Sequence, residues 1–410
     1  MKRNRVGIAL SAVGIHASIG SVYAWSVLTK PVMAEMGISL SSTTWAFSIA
    51  ILFLGLSAAF LGKFVERIGP RASGLLSMLF FCSGLIGTAL AVSMKSVALL
   101  YFFYGAIGGI GLGIGYITPV STLVKWFPAR RGFATGLAIM GFGFASLIGG
   151  PLMQKLTALY GLSANFLIMG GAYAVVMTLS SLYLMPPKAG ETVDLTKLSD
   201  DASEKLKKAA AAQTGRQYTR REAVQTWEFW SLWWLFFTNI TCGIGLLAVA
   251  SPMAQEAVGM NAAGAAALVG AIGIVNGLGR LAWSTLSDWM GRAATYVLFF
   301  VIETAVFFAL AQTPSEALFY ILVLTIISCY GGGFSCMPAF LSDLFGVRQL
   351  SSIHGIMLTA WALAGIAGPM LLSVIKETTG SYHQTMLVFA GLMSAALVLS
   401  VILKVKSTKH

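Results

Sequence analysis

The sequence predicts an all-α membrane protein, with twelve transmembrane helices in two six-helix halves that repeat one another. Three observations carry this. Of 410 residues, 57% are hydrophobic and 10% charged, with a mean hydropathy of +0.80; soluble domains carry about 25% charged residues. Twelve apolar runs are long enough to cross ~30 Å of hydrocarbon. Lysine and arginine gather on alternate loops.

The runs fall near residues 5–29, 44–64, 72–93, 98–123, 132–157, 164–184, 229–255, 262–287, 294–312, 316–341, 351–376 and 383–404. The first follows Lys2, Arg3 and Arg5, but its length and the even repeat favour a retained helix over a cleaved signal peptide. Of 27 basic residues, 22 fall on the side of the termini and four (Lys30, Lys95, Lys155, Lys376) on the other, leaving Arg280. The positive-inside rule therefore expects both termini in the cytoplasm. The net charge of +12 follows from topology and argues against a nucleic-acid partner. Cys82, Cys242, Cys329 and Cys336 lie in apolar runs without metal-ligand spacing and read as packing residues. No metal, cofactor or catalytic group is expected, and the protein is expected to be a monomer in the lipid bilayer.

The division expected is 1–186 for the N-terminal half, 187–227 for a polar cytoplasmic linker and 228–410 for the C-terminal half. Most of the linker reads as a mobile tether. Its end, with Thr219 three residues before Glu222, reads as a capping box starting a short interfacial helix. Gly109-Ile-Gly-Leu-Gly113 has the look of a nucleotide-binding run, but no strand precedes it, so helix packing explains it better.

Arg280 is the residue that points to function. At about 1.5 Å per residue it lies roughly 12 Å along its helix from Asp288, inside the membrane. An arginine at that depth costs about 2.5–3.5 kcal/mol and needs a partner or a wet cavity. Asn276 lies one turn away on the same face. A fixed cation beside an amide can receive a small anion; pairing with a buried carboxylate or snorkelling to the interface is the alternative.

The halves echo each other. Glu66-Arg67-Ile-Gly69-Pro-Arg71 follows span 2, and Asp288-Trp-Met-Gly291-Arg292 follows span 8, both acid and glycine offset by 222. Trp126-Phe127-Pro128 to Gly150-Pro151 matches Leu344-Phe345-Gly346 to Gly368-Pro369, offset by 218. Paired repeats around a midplane site are the architecture of alternating access. An acid, a spacer, Gly and Arg after spans 2 and 8 resemble the signature loop of the major facilitator superfamily. In that family the loop latches the halves, so the resemblance gives Glu66, Arg67, Arg71, Asp288 and Arg292 that role. Glu66 replaces the usual Asp and Pro70 interrupts the basic pair, which marks the first copy as the weaker latch.

Gly20-Ser-Val-Tyr-Ala-Trp25 in span 1, Lys125-Trp-Phe-Pro-Ala-Arg-Arg-Gly132 at the 4–5 turn and Arg280 in span 8 are similar to the monocarboxylate transporter and oxalate/formate antiporter branch. That kinship implies transport of a small carboxylate such as lactate or pyruvate, often with a proton. Animal members of the branch have an aspartate where this chain has Asn276, and a lysine in span 1 where it has Val27-Leu28. Oxalate/formate exchangers have a second cation at the position that Trp361 matches in this chain. One arginine suits one carboxylate, since a dicarboxylate would bring an unpaired charge into low dielectric.

Tyr116, Arg280 and Phe334 each lie 18 residues from the predicted start of an inward-running span, so they share a level, with Asn276 and Tyr330 one turn away. Arginine can hold a carboxylate by a two-pronged pair, while tyrosine hydroxyls and the Asn276 amide bond a 2-hydroxyl or keto oxygen. Phe334, Leu28 and Trp361 supply an apolar wall. Glu303, His16 and His354 are the other ionisable groups near membrane depth. Glu303 is a possible proton site, although span 9 is peripheral in this superfamily and a packing or lipid-facing acid is the blander reading. The expectation is a proton-coupled monocarboxylate transporter; anion exchange and a transporter-fold carboxylate sensor are the alternatives.

Overall fold

The computed structural model describes residues 4–126, 131–187, 217–312, 315–346 and 349–407. Its twelve membrane-length helices, spans 1 to 12, are Arg5–Met36, Leu40–Phe60, Phe64–Ser93, Val97–Leu123, Leu137–Tyr160, Leu162–Tyr183, Trp227–Ala257, Ala262–Met290, Arg292–Gln312, Glu316–Phe345, Ser352–Thr379 and His383–Lys406. Residues 188–216, most of the predicted linker, lie outside the described part. The capping box is formed: the Glu222 amide donates to the Thr219 hydroxyl at 3.2 Å, and the Thr219 amide to the Glu222 carboxylate at 2.7 Å. The turn it starts, Arg220–Ala223, docks on the ends of spans 10 and 11 through Tyr218 to Phe345 and Arg220 to Gln349.

The predicted repeat is visible in the packing. Within the N-terminal half span 1 packs on 5, 2 on 4 and 3 on 6; within the C-terminal half span 7 packs on 11, 8 on 10 and 9 on 12. The halves meet where span 5 crosses 8 and span 2 crosses 11. Both crossings are small-residue contacts, which let backbones approach: a Cβ on Gly143 would lie 3.0 Å from Gly277 Cα, and one on Gly55 only 2.8 Å from Ala362 Cβ. Gly69 and Gly291 also match in conformation, with φ of 80° and 86°, a region closed to most side chains. Gly109 and Gly113 press against the span 2 backbone at Ala50 and Leu54, a packing role.

Span 7 is kinked at Val249, and spans 1 and 4 change their winding, where uniform rods are expected. Span 1 runs seven residues further, through Pro31 to a left-handed Gly37 cap, and is interrupted by a 3₁₀ stretch at Gly20–Ala24. Lys30 is therefore on a helix, where it pairs with Glu256 of span 7 at 3.5 Å. Span 4 winds as a π-helix over Tyr101–Ile107, bringing Phe103 over Gly87. On the face opposite the termini, Glu256 also pairs with Lys376 at 3.1 Å, and the Ser41 amide donates to Glu377 at 2.7 Å.

Candidate functional site

Span 8 is drawn tightly against its neighbours around Arg280 because glycines flank the arginine and face it. A Cβ on Gly279 would lie 3.0 Å from Ser328 Cα, and one on Gly331 would lie 2.8 Å from Asn276 Oδ1 and 3.3 Å from Arg280 Cγ. Side chains at these positions would push spans 8 and 10 apart. The close fit leaves Arg280 4% exposed, so it does not snorkel.

Arg280 Nε donates to Asn276 Oδ1 at 3.3 Å, and its guanidinium carbon stands 5.1 Å from the centre of the Phe334 ring. The Tyr23 and Tyr116 hydroxyls face it. Among the described residues no ion pair includes Arg280, which removes the buried-carboxylate alternative. Its Nη1, together with Asn276 Nδ2 and Trp361 Nε1, is buried without a hydrogen-bond partner. Each such donor costs about 1–3 kcal/mol unless a ligand satisfies it.

The aromatic residues form a continuous wall. Trp361 meets Tyr116 at 5.3 Å and Phe334 at 5.0 Å, and Phe334 meets Tyr330 at 5.3 Å. Tyr330 then crosses to the other half, its hydroxyl 2.9 Å from that of Tyr23. The structure thus brings Arg280, Asn276, Tyr330, Tyr116, Phe334 and Trp361 together. Leu28 is buried on span 1, five residues beyond Tyr23, within the same apolar core.

Sequence reasoning missed Tyr23 and Phe142, whose rings pack edge to face at 5.0 Å. Tyr23 lay inside the span 1 motif, but its orientation depends on the 3₁₀ stretch. That stretch starts at Gly20, where a Cβ would lie 2.8 Å from Ala145 Cβ of span 5.

Glu303 is buried and turned inward, so the lipid-facing reading is corrected. Asn239 of span 7 donates its Nδ2 to both carboxylate oxygens, at 3.0 and 3.1 Å. Buried polar groups at membrane depth face partners inside the bundle, and an acid on span 9 does so through span 7. His354 is half-buried near the end of span 11.

The two signature turns differ. Arg292 bonds Ser287 and pairs with Asp288, and its Nε lies 3.6 Å from Asp343 Oδ2 at the end of span 10. Asp343 was not foreseen, because its contact with Arg292 depends on how spans 9 and 10 pack. In the first copy Arg71 donates to the Leu182 carbonyl at 2.8 Å, while Glu66 and Arg67 are exposed. Among the described residues these five do not join one half to the other.

The chain is 26% identical over 382 residues to the oxalate:formate antiporter of Oxalobacter formigenes, covering 92% of this chain and 86% of that protein. It is 25% identical to apicoplast pyruvate carrier 1 of Toxoplasma gondii, covering 98% and 89%. In fold it matches a bacterial homologue of the human lysosomal transporter Spinster in an inward-facing, unoccupied conformation, with a TM-score of 0.72 at 17% identity and coverage of 98% and 96%. The family model described as Major Facilitator Superfamily matches residues 10–369, and the chain belongs to that family of membrane transporters.

Proposed function

We propose that this chain moves a short monocarboxylate of the lactate or pyruvate class across the membrane with a proton, by alternating access. One observation carries the reading: a buried arginine with no carboxylate partner among the described residues, its Nη1 unpartnered, beside two further unpartnered donors and an aromatic wall. A carboxylate would pair with Arg280 through charge-assisted hydrogen bonds. Asn276 Nδ2 would donate to a 2-keto or 2-hydroxy oxygen, and Phe334 and Trp361 would pack against a methyl group. A dicarboxylate would leave one charge unpaired against that wall. Neutralising Arg280 lets the halves rock about the glycine crossings, with the Tyr23–Tyr330 bond remade in each cycle. Asp288 and Arg292, held with Asp343 inside the C-terminal half here, would act with Glu66, Arg67 and Arg71 as the latch in another state of the cycle, on the cytoplasmic side where both termini lie.

The likeness to an oxalate:formate antiporter favours a second reading, obligatory anion exchange. Transport assays in proteoliposomes separate the two. Symport predicts pyruvate accumulation driven by a pH gradient with no anion inside. Uptake only when an anion is loaded inside makes the protein an exchanger, and binding without either flux makes it a sensor.

A further inference from the structure

Span 1 carries a histidine that the carboxylate site does not use. His16 is wholly buried and stands between two other helices. Its Nδ1 lies 2.6 Å from the carbonyl oxygen of Ala138 in span 5, and its Nε2 lies 3.0 Å from that of Tyr116 in span 4. Both partners are acceptors only. A neutral imidazole has one N–H, so it can donate to one carbonyl but must turn a lone pair towards the other. An imidazolium donates to both. Span 4 adds to this oxygen-rich wall, because Pro119 has no N–H and leaves the Gly115 carbonyl, next to that of Tyr116, without its helical donor.

The ring also communicates with the anion site. It stacks on Tyr116 with centroids 5.5 Å apart and planes 14° from parallel, and the Tyr116 hydroxyl faces Arg280. Around it, span 4 presents Tyr116, span 8 presents the Arg280 charge, and span 5 presents Ala138 and the edge of Phe142 at 6.0 Å. The span 6 tyrosines lie elsewhere along span 1, Tyr183 against Gly7 and Tyr173 near Ser21. Among the described residues no acid acts on the ring.

We propose that His16 is the proton site of the transport cycle, holding its proton between the Tyr116 and Ala138 carbonyls while a carboxylate sits on Arg280. This rests on the reading that Arg280 receives the carboxylate. Two cations in a low-dielectric interior repel. An anion on Arg280 cancels that charge and favours the imidazolium, so anion and proton each tighten the other's binding, as linkage requires. The proton comes from bulk water and leaves with the anion, so the loaded carrier gains no net charge. No covalent step is involved.

The test is calorimetry of pyruvate binding to the purified full chain in buffers of different ionisation enthalpy, which reads protons taken up per pyruvate. The unmodified protein is expected to take up about one proton, reflecting the mutual coupling of the two ligands. His16→Gln should take up none and lose pH-driven accumulation, yet keep pyruvate counterflow, while Glu303→Gln should keep proton uptake. Proton uptake that persists in His16→Gln, or vanishes in Glu303→Gln, overturns the proposal. Should His16→Gln not fold, ¹⁵N-histidine spectra of the unmodified protein, assigned by substituting His354, His383 and His410, give the same reading. Both His16 nitrogens protonated in the pyruvate complex supports the proposal, and a neutral ring there overturns it. Pyruvate binding without proton uptake defeats this proposal alone; no pyruvate binding defeats it together with the carboxylate reading.

Discussion

Glu303 and Arg280, both in the C-terminal half, are buried at membrane depth, and they are treated in opposite ways. Glu303 on span 9 receives the Asn239 amide on both carboxylate oxygens. Arg280 on span 8 has one long hydrogen bond to Asn276, the facing hydroxyls of Tyr23 and Tyr116, the face of Phe334, and an Nη1 with no partner. Desolvating either group is expensive. The fold answers that cost for both oxygens of Glu303 from its own residues, and for Arg280 it supplies no carboxylate among the described residues and leaves Nη1 unpartnered.

That contrast breaks most visibly at Arg280. Arg280→Ala removes the charge-assisted pair, worth about 3 kcal/mol or more, so pyruvate affinity should fall on the order of 100-fold or more. The melting temperature without ligand should hold, because no protein carboxylate depends on this arginine. Thermal-shift titration reads both quantities, and pyruvate-induced stabilisation surviving in the variant would sink the assignment.

The smaller effect lies on the other side of the comparison. Asn239→Leu strips the Glu303 carboxyl of its partner, and unfolding stability should drop by about 1–3 kcal/mol. Pyruvate affinity of the folded variant should stay where it was. An affinity loss with unchanged stability would move Glu303 out of the structural role and into the transport site.

Much of this was legible in the chain, for identifiable reasons. Arg280 stands out because an arginine in an apolar, glycine-rich run has few explanations. Tyr116 and Phe334 could be levelled with it, and Tyr330 set one turn away, because helical rise converts residue number into depth; Trp361 came from the family resemblance. What stayed hidden depends on geometry between helices. Hydropathy does not report that span 9 turns Glu303 onto Asn239 of span 7, or that Asp343 reaches Arg292. The 3₁₀ stretch at Gly20–Ala24 turns Tyr23 towards Tyr330, and a uniform helix through span 1 would have pointed it elsewhere. The two carbonyls at His16 come from separate helices and appear only once spans 1, 4 and 5 are packed.

The central claim is that Arg280 holds a negative charge on the substrate, and a pair of isosteres tests it directly. Lactate and lactamide share size, shape and the 2-hydroxyl, and differ in the charge offered to the guanidinium. Calorimetric titration of the unmodified protein should show saturable lactate binding and no measurable binding of lactamide. Lactamide binding as tightly as lactate would mean that Arg280 does not select the substrate by charge, and the account would be wrong at its centre.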